Sequence, residues 1–168
     1  MSDFREGVSN HGKWSVAGVP HKGWECVDTY DSGEDGEELT RVCEMCEQQP
    51  IRFVHVMQHP DYPGQLECGC VCAGRIEENK IGARLREKAM RSLAGRRLRF
   101  PDHAGWRWSQ KGNPYINSRG FHVVVFSRGN GFGVNVTPPD RPVVRGTKTF
   151  PTERAAQLAA FDWMEKDK

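Results

Sequence analysis

The sequence predicts an α+β protein, and two patterns carry that expectation. Between residues 43 and 98, two β-like runs precede a stretch rich in Ala, Leu, Arg, Glu and Lys. Between residues 106 and 166, several short strand-like runs precede one Ala-rich segment with an apolar face. A chain of 168 residues, 37% hydrophobic and 27% charged, has room for two small units. We divide it into an acidic, loop-rich segment with short strands (1–40), a cysteine-rich hairpin with a basic helix (41–100), and a three- to four-stranded antiparallel sheet with a C-terminal helix (101–168).

Taken in order, the first forty residues set Gly, Pro and acids around Trp14 and Trp24, and GVPHKGWECVD reads as a turn and a short strand. Both tryptophans are expected to be apolar anchors of a small core. The run DSGEDGEE, residues 31–38, is expected to be a solvated loop, with an acidic interaction surface as the alternative. IRFVHVM, 51–57, has the Val and Phe content of a strand; HPDYPG is a turn, and 65–70 reads as the antiparallel return. Residues 73–98 are helical in character, with an interruption expected near Gly82, an end near Gly95 and a stop at Pro101.

Further on, WRWSQKGN reads as strand and turn, FHVVVFSR as a strand, RGNG as a tight turn, FGVNVTP as a third strand and GTKTFPT as a fourth. The glycines of RGNGFG lack the strand-to-helix context of a phosphate-binding loop. ERAAQLAAFDWMEK is a helix: Thr152 is placed to cap it, Glu153 suits its positive end, and Ala156, Leu158, Ala159, Phe161 and Trp163 supply apolar surface.

No apolar run approaches the roughly 20 residues that cross a bilayer, and MSDFREG lacks the apolar core of an export signal, so the expected compartment is the cytoplasm. In that reducing setting the six cysteines suggest metal ligation rather than disulfides, because five of them fall between residues 43 and 72. Charge is unevenly spread. Residues 1–50 hold 4 Lys/Arg against 11 Asp/Glu, while 51–168 hold 20 against 11. A basic remainder suits an acidic partner such as nucleic acid.

The chemistry concentrates in residues 43–79. A structural zinc takes four thiolate or imidazole ligands in a tetrahedron, and Cys-x2-Cys presents two sulfurs from one tight turn. Cys43 and Cys46 have that spacing. Cys68, Cys70 and Cys72 offer three more sulfurs, and alternate residues of an extended chain share a face. We expect Cys70 and Cys72 to complete the site, with Cys68 a spare thiol and Cys26 a core residue. The competing explanation is a set of buried free cysteines packed as small hydrophobes. An all-cysteine site leaves no open position, which argues for a structural Zn2+ rather than a catalytic one.

Knuckle, hairpin and helix in this order resemble a treble-clef zinc unit. Treble clefs also form the core of HNH nucleases, so His55 and His59 keep a divergent HNH-type nuclease among the alternatives. The pattern departs from that family: no His-His or Asp-His pair ends the first strand, and no histidine follows Cys72 on the helix. A replacement zinc ligand or a hydrogen-bonded scaffold role are the other readings of the two histidines. The segment, together with GVPHKGW at 18–24 and WSQKGN at 108–113, resembles a family of small bacterial and phage zinc-binding proteins. That resemblance implies Cys43, Cys46, Cys70 and Cys72 as ligands and carries no activity with it.

Arg84, Arg86, Lys88, Arg91, Arg96, Arg97 and Arg99 cluster between residues 81 and 100, opposed only by Glu87. On a helix, Arg84, Lys88 and Arg91 share a face that could follow phosphates; a solvated face is the plain alternative. FHVVVF, GFGVNVT and GTKTFPTERAAQLAAF are similar to AP2 and integrase-type DNA-binding domains, which lay a three-stranded sheet in the major groove. Strand positions that would carry contacts in that family hold His122, Val124, Phe126 and Asn135, so contacts from this sheet are assigned to Arg119, Arg128 and Lys148. Trp106, Trp108 and Tyr115 could stack on bases, with core packing as the alternative. The expected function is a zinc-stabilised, non-enzymatic DNA-binding module. A phage or mobile-element protein that engages a host protein through the acidic N-terminal region is the competitor from another class.

Overall fold

The computed structural model describes residues 11–33 and 41–167. The chain is α+β, with three α-helices and antiparallel sheets among the described residues. It divides into two compact units, 1–94 and 95–168. The boundary falls inside a helix rather than at its end. None of the described helices is long and apolar enough to cross a membrane.

In the first unit, β1 (Glu25–Asp31), β4 (Phe53–Gln58) and β5 (Gln65–Cys68) form an antiparallel sheet with β4 in the centre. Two short strands, β2 (Arg41–Val42) and β3 (Pro50–Ile51), pair across the Cys-x2-Cys turn and close its base. The predicted 51–57 strand is therefore split: Ile51 belongs to the knuckle's own ribbon, and β4 starts at Phe53. β4 is buried from Phe53 to Met57, as a central strand covered on both faces must be. Trp24 is the predicted anchor: it is buried, donates its indole N–H to the Pro20 carbonyl at 2.8 Å, and packs its ring against His59 and Tyr62. Of the acidic run, Asp31 ends β1 and takes a two-pronged hydrogen bond from Arg52 (2.8 and 2.9 Å), while residues 34–38 lie outside the described residues.

The predicted helix is two helices, α1 (Cys70–Ile76) and α2 (Lys80–Arg99). The break comes at residues 77–79 rather than at Gly82. Glu78 adopts φ +56°, and the Asn79 side chain accepts the Gly82 N–H at 2.8 Å, so the polar turn restarts the helix and Gly82 simply belongs to its first turn. α2 then runs through Gly95 to Arg99, where Phe100 buries and Pro101 follows.

In the second unit, β6 (Arg107–Trp108), β7 (Pro114–Ser118), β8 (Phe121–Arg128), β9 (Gly131–Thr137) and β10 (Val144–Arg145) form a sheet in the order β10-β9-β8-β7-β6. Phe121, Val123 and Val125 alternate inward on β8, as do Val134 and Val136 on β9. They pack against α3 (Glu153–Lys166), chiefly Ala156, Ala160, Phe161 and Met164. Thr152 caps α3 as predicted, accepting the Ala155 N–H at 3.1 Å. The fourth strand lies at Val144 and Arg145; of GTKTFPT, Gly146 N–H donates to the Val134 carbonyl at 2.9 Å and Phe150 forms an isolated bridge to Phe132.

Candidate metal centre

Cys43 and Cys46 come from the knuckle between β2 and β3, and Cys72 from the first turn of α1. Their three sulfurs are buried and lie within 4.8 Å of one another, a group that could hold a metal ion. Backbone bonds fix the knuckle: Cys43 N–H to the Gln49 carbonyl at 2.8 Å, and Glu47 N–H to the Cys43 carbonyl at 2.7 Å. Glu44 ties it to β5 twice, through its own N–H to the Glu67 carbonyl at 2.9 Å and through its carboxylate, which accepts the Glu67 N–H at 2.6 Å. On the other side, a 3-10 turn at Gly12–Ser15 leans on the knuckle, and Lys13 N–H donates to the Met45 carbonyl at 2.9 Å.

Cys43 is the electrostatic centre of the group. Its sulfur accepts hydrogen bonds from the thiols of Cys68 and Cys72, then from the backbone N–H groups of Cys46 and Gly69, and these hold it as a thiolate far below the usual thiol range. Cys68 and Cys72 are correspondingly pushed up, first by their bonds to Cys43 and then by burial. The indole N–H of Trp14 is buried near this group and has no hydrogen-bond partner, and its nearness favours the charged form of Cys72. Trp14, expected only as an apolar anchor, thus brings an unsatisfied donor to the edge of the cluster.

The structure does not bring Cys70 into this group. It opens α1, is half-buried, and shares a hydrogen bond with Glu87; burial first and that bond second raise its thiol to about 11. Cys68, expected as the spare thiol, also lies outside the 4.8 Å group, but it is fully buried in the same core cluster. Alternation along an extended chain leaves any two of the three later cysteines open, and the place of Cys70 and Cys72 at the hairpin's end and the helix's start favours that pair, but the chain is helical from Cys70 onward. Cys26 packs at the edge of the same core, with burial raising its thiol.

His55 is fully buried on β4. Its Nε2 lies 3.2 Å from the Ala83 carbonyl, and burial keeps the ring neutral. Enclosed in this way, the ring sits as a hydrogen-bonded part of the scaffold. His59 sits in the turn after β4, stacks on Trp24, and accepts the Asp61 N–H at 3.0 Å.

The predicted cationic residues fall into two sets. Arg91 pairs with Glu87 and lies over the Phe53 ring; Arg96 and Arg119 both reach Glu165; Arg97 grips Asp162 at 2.7 and 2.9 Å; Arg128 lies over Phe126 and donates to the Lys148 carbonyl. Arg119 also covers Phe161 of α3, which places it towards the helix side of the sheet. Arg84, Lys88, Arg99 and Lys148 are exposed and form no ion pair among the described residues. Trp106 donates to the Phe100 carbonyl at 2.8 Å and packs in the core, whereas Trp108 is 68% exposed and Tyr115 is half-buried against His122. Comparison with protein-family models, with curated proteins and with solved structures gives no significant match.

Proposed function

We propose that this chain is a zinc-stabilised, non-enzymatic DNA-binding module, in which a treble-clef-like centre supports a basic helix that meets the phosphate backbone. The supporting observation is α2 itself. It carries eight Lys/Arg and a single acid, Glu87, which Arg91 already engages. Arg84 and Lys88 stand one turn apart, exposed and without an ion pair among the described residues. Arg86, Arg91, Arg96 and Arg97 are engaged by Glu77, Glu87, Glu165 and Asp162, whereas the charges of Arg84 and Lys88 face solvent, where phosphates can neutralise them and release counterions. For the metal, three buried cysteine sulfurs within 4.8 Å of one another suit Zn2+, a borderline-soft ion that takes tetrahedral sulfur sites.

The test is binding to random-sequence duplex across a salt series. Affinity is expected to fall steeply with salt, and Arg84→Gln/Lys88→Gln is expected to reduce the log–log slope by about 2, at roughly 0.9 for each phosphate no longer neutralised. No binding at low salt, or a slope unchanged in the double variant, would overturn the reading.

A further inference from the structure

We propose that Cys68, not Cys70, is the fourth ligand, so that Cys43, Cys46, Cys68 and Cys72 form one four-sulfur zinc site. This inference rests on the zinc reading above and specifies its ligands. Cys68 is the last residue of β5, held by its pairing with His55 on the central strand. Its side chain is fully buried, in the same core cluster as Cys43, Cys46 and Cys72. Four residues later the chain has completed the first turn of α1 and presents Cys72 to the group.

Helix geometry decides the place of Cys70. Two residues along an α-helix is a rotation of about 200°, so Cys70 and Cys72 cannot face the same centre from within one turn. With Cys72 turned inward, Cys70 turns away, and there it meets Glu87. A tetrahedral zinc with bonds of about 2.3 Å needs sulfurs about 3.8 Å apart, so Cys68, which lies outside the 4.8 Å group of the other three, must turn its side chain towards them as the ion binds.

The surroundings suit the charge. Four thiolates on Zn2+ carry a net charge of −2, which a buried site tolerates only when N–H donors face the sulfurs. The backbone N–H groups of Cys46 and Gly69 favour the charged form of Cys43, and the buried Trp14 indole N–H, which has no hydrogen-bond partner, is available to the group. On binding, the thiol protons pass to solvent and four Zn–S bonds form, with no change of oxidation state.

The experiment uses the full chain with Cys26→Ser/Cys70→Ser, which leaves only the four proposed ligands of the six cysteines and removes none of them. Native mass spectrometry is expected to show one zinc, and the Co2+-substituted double variant is expected to keep the sulfur-to-cobalt charge-transfer intensity of wild type. A loss of about a quarter of that intensity, or of the metal, would overturn the assignment. Cys68→Ser is expected to lower zinc affinity by more than about 100-fold, beyond what loss of an outer partner costs. A Cys68→Ser protein that binds zinc as wild type does would refute the assignment while leaving the zinc reading intact. A folded wild-type chain that takes up no metal would refute both.

Discussion

Gly12 touches the knuckle through its missing side chain, and replacing it with Ala tests how far the 3-10 turn supports the centre. Gly12 has φ +62°, and a Cβ there would sit 2.6 Å from the Cys46 carbonyl carbon, 2.8 Å from its oxygen and 2.9 Å from the Met45 carbonyl oxygen. All three are backbone atoms of a turn already held by its own hydrogen bonds, so the incoming segment must move instead. The left-handed backbone costs Ala about 1 kcal/mol. Displacement also loses the bond from Lys13 N–H to the Met45 carbonyl, worth about 1 kcal/mol, and the packing of Trp14 beside Cys72 adds to it. The Lys13–Glu47 ion pair is too exposed to matter much. The total is about 2–3 kcal/mol of local stability. Gly18 provides the control, because it has φ +85° with nothing within 4 Å of its would-be Cβ. Gly18→Ala is expected to cost only the backbone strain of about 1 kcal/mol. Hydrogen exchange at the Glu47 amide should speed up by about 30- to 150-fold in Gly12→Ala, with faster zinc release to a chelator. If Gly12→Ala exchanges no faster than Gly18→Ala, the close approach contributes nothing and the reasoning fails.

The other predictions concern single groups. Tyr30 is raised to about 12, by burial first and then by its hydrogen bond to Glu67 (2.5 Å). Its ionisation should be the one missing from the phenolate absorbance titration of Tyr30→Phe near pH 12. The folded state keeps this proton where the unfolded state has lost it, so Tyr30's contribution to stability is full below about pH 10 and is lost as pH rises through about 12. A missing step near pH 10 would contradict this. Thr152→Ala removes the cap of α3 and should lower the stability of the second unit by about 1 kcal/mol, read as a shift in its urea midpoint; a shift of zero would mean that the cap is replaced by water.

The parts of this fold that were legible in the sequence are those where a periodic pattern coincides with a local signal. The inward alternation of Phe121, Val123 and Val125 and the cap at Thr152 are of this kind, since each is decided by residues within one element. The knuckle was legible for the same reason: Cys-x2-Cys is a single turn. The placement of the later cysteines was not, because three sulfurs straddle a strand-to-helix junction and their directions depend on the residue at which the period changes from 2 to 3.6. That residue is Cys70. Gly69, extended at φ −74°, ψ 161°, was the available signal, as an N-cap-compatible residue directly before the helix. The arginines show another limit. Composition placed them on one helix, but whether each is free depends on acids far along the chain, such as Asp162 for Arg97 and Glu165 for Arg96 and Arg119.

The reciprocal bonds between Glu44 and Glu67 bear on how the centre acquires its metal. Many small zinc modules fold only as the ion binds, and most of the ion's binding free energy is then spent on ordering the chain. Here the knuckle is fastened to β5 by hydrogen bonds that involve no sulfur, and β5 is itself paired to β4, which is buried from Phe53 to Met57. The ligand-bearing turn is preorganised, so little ordering entropy remains to be lost on binding. If the centre holds zinc as proposed, the ion's binding free energy is expected to appear as affinity and slow release rather than as folding of the knuckle.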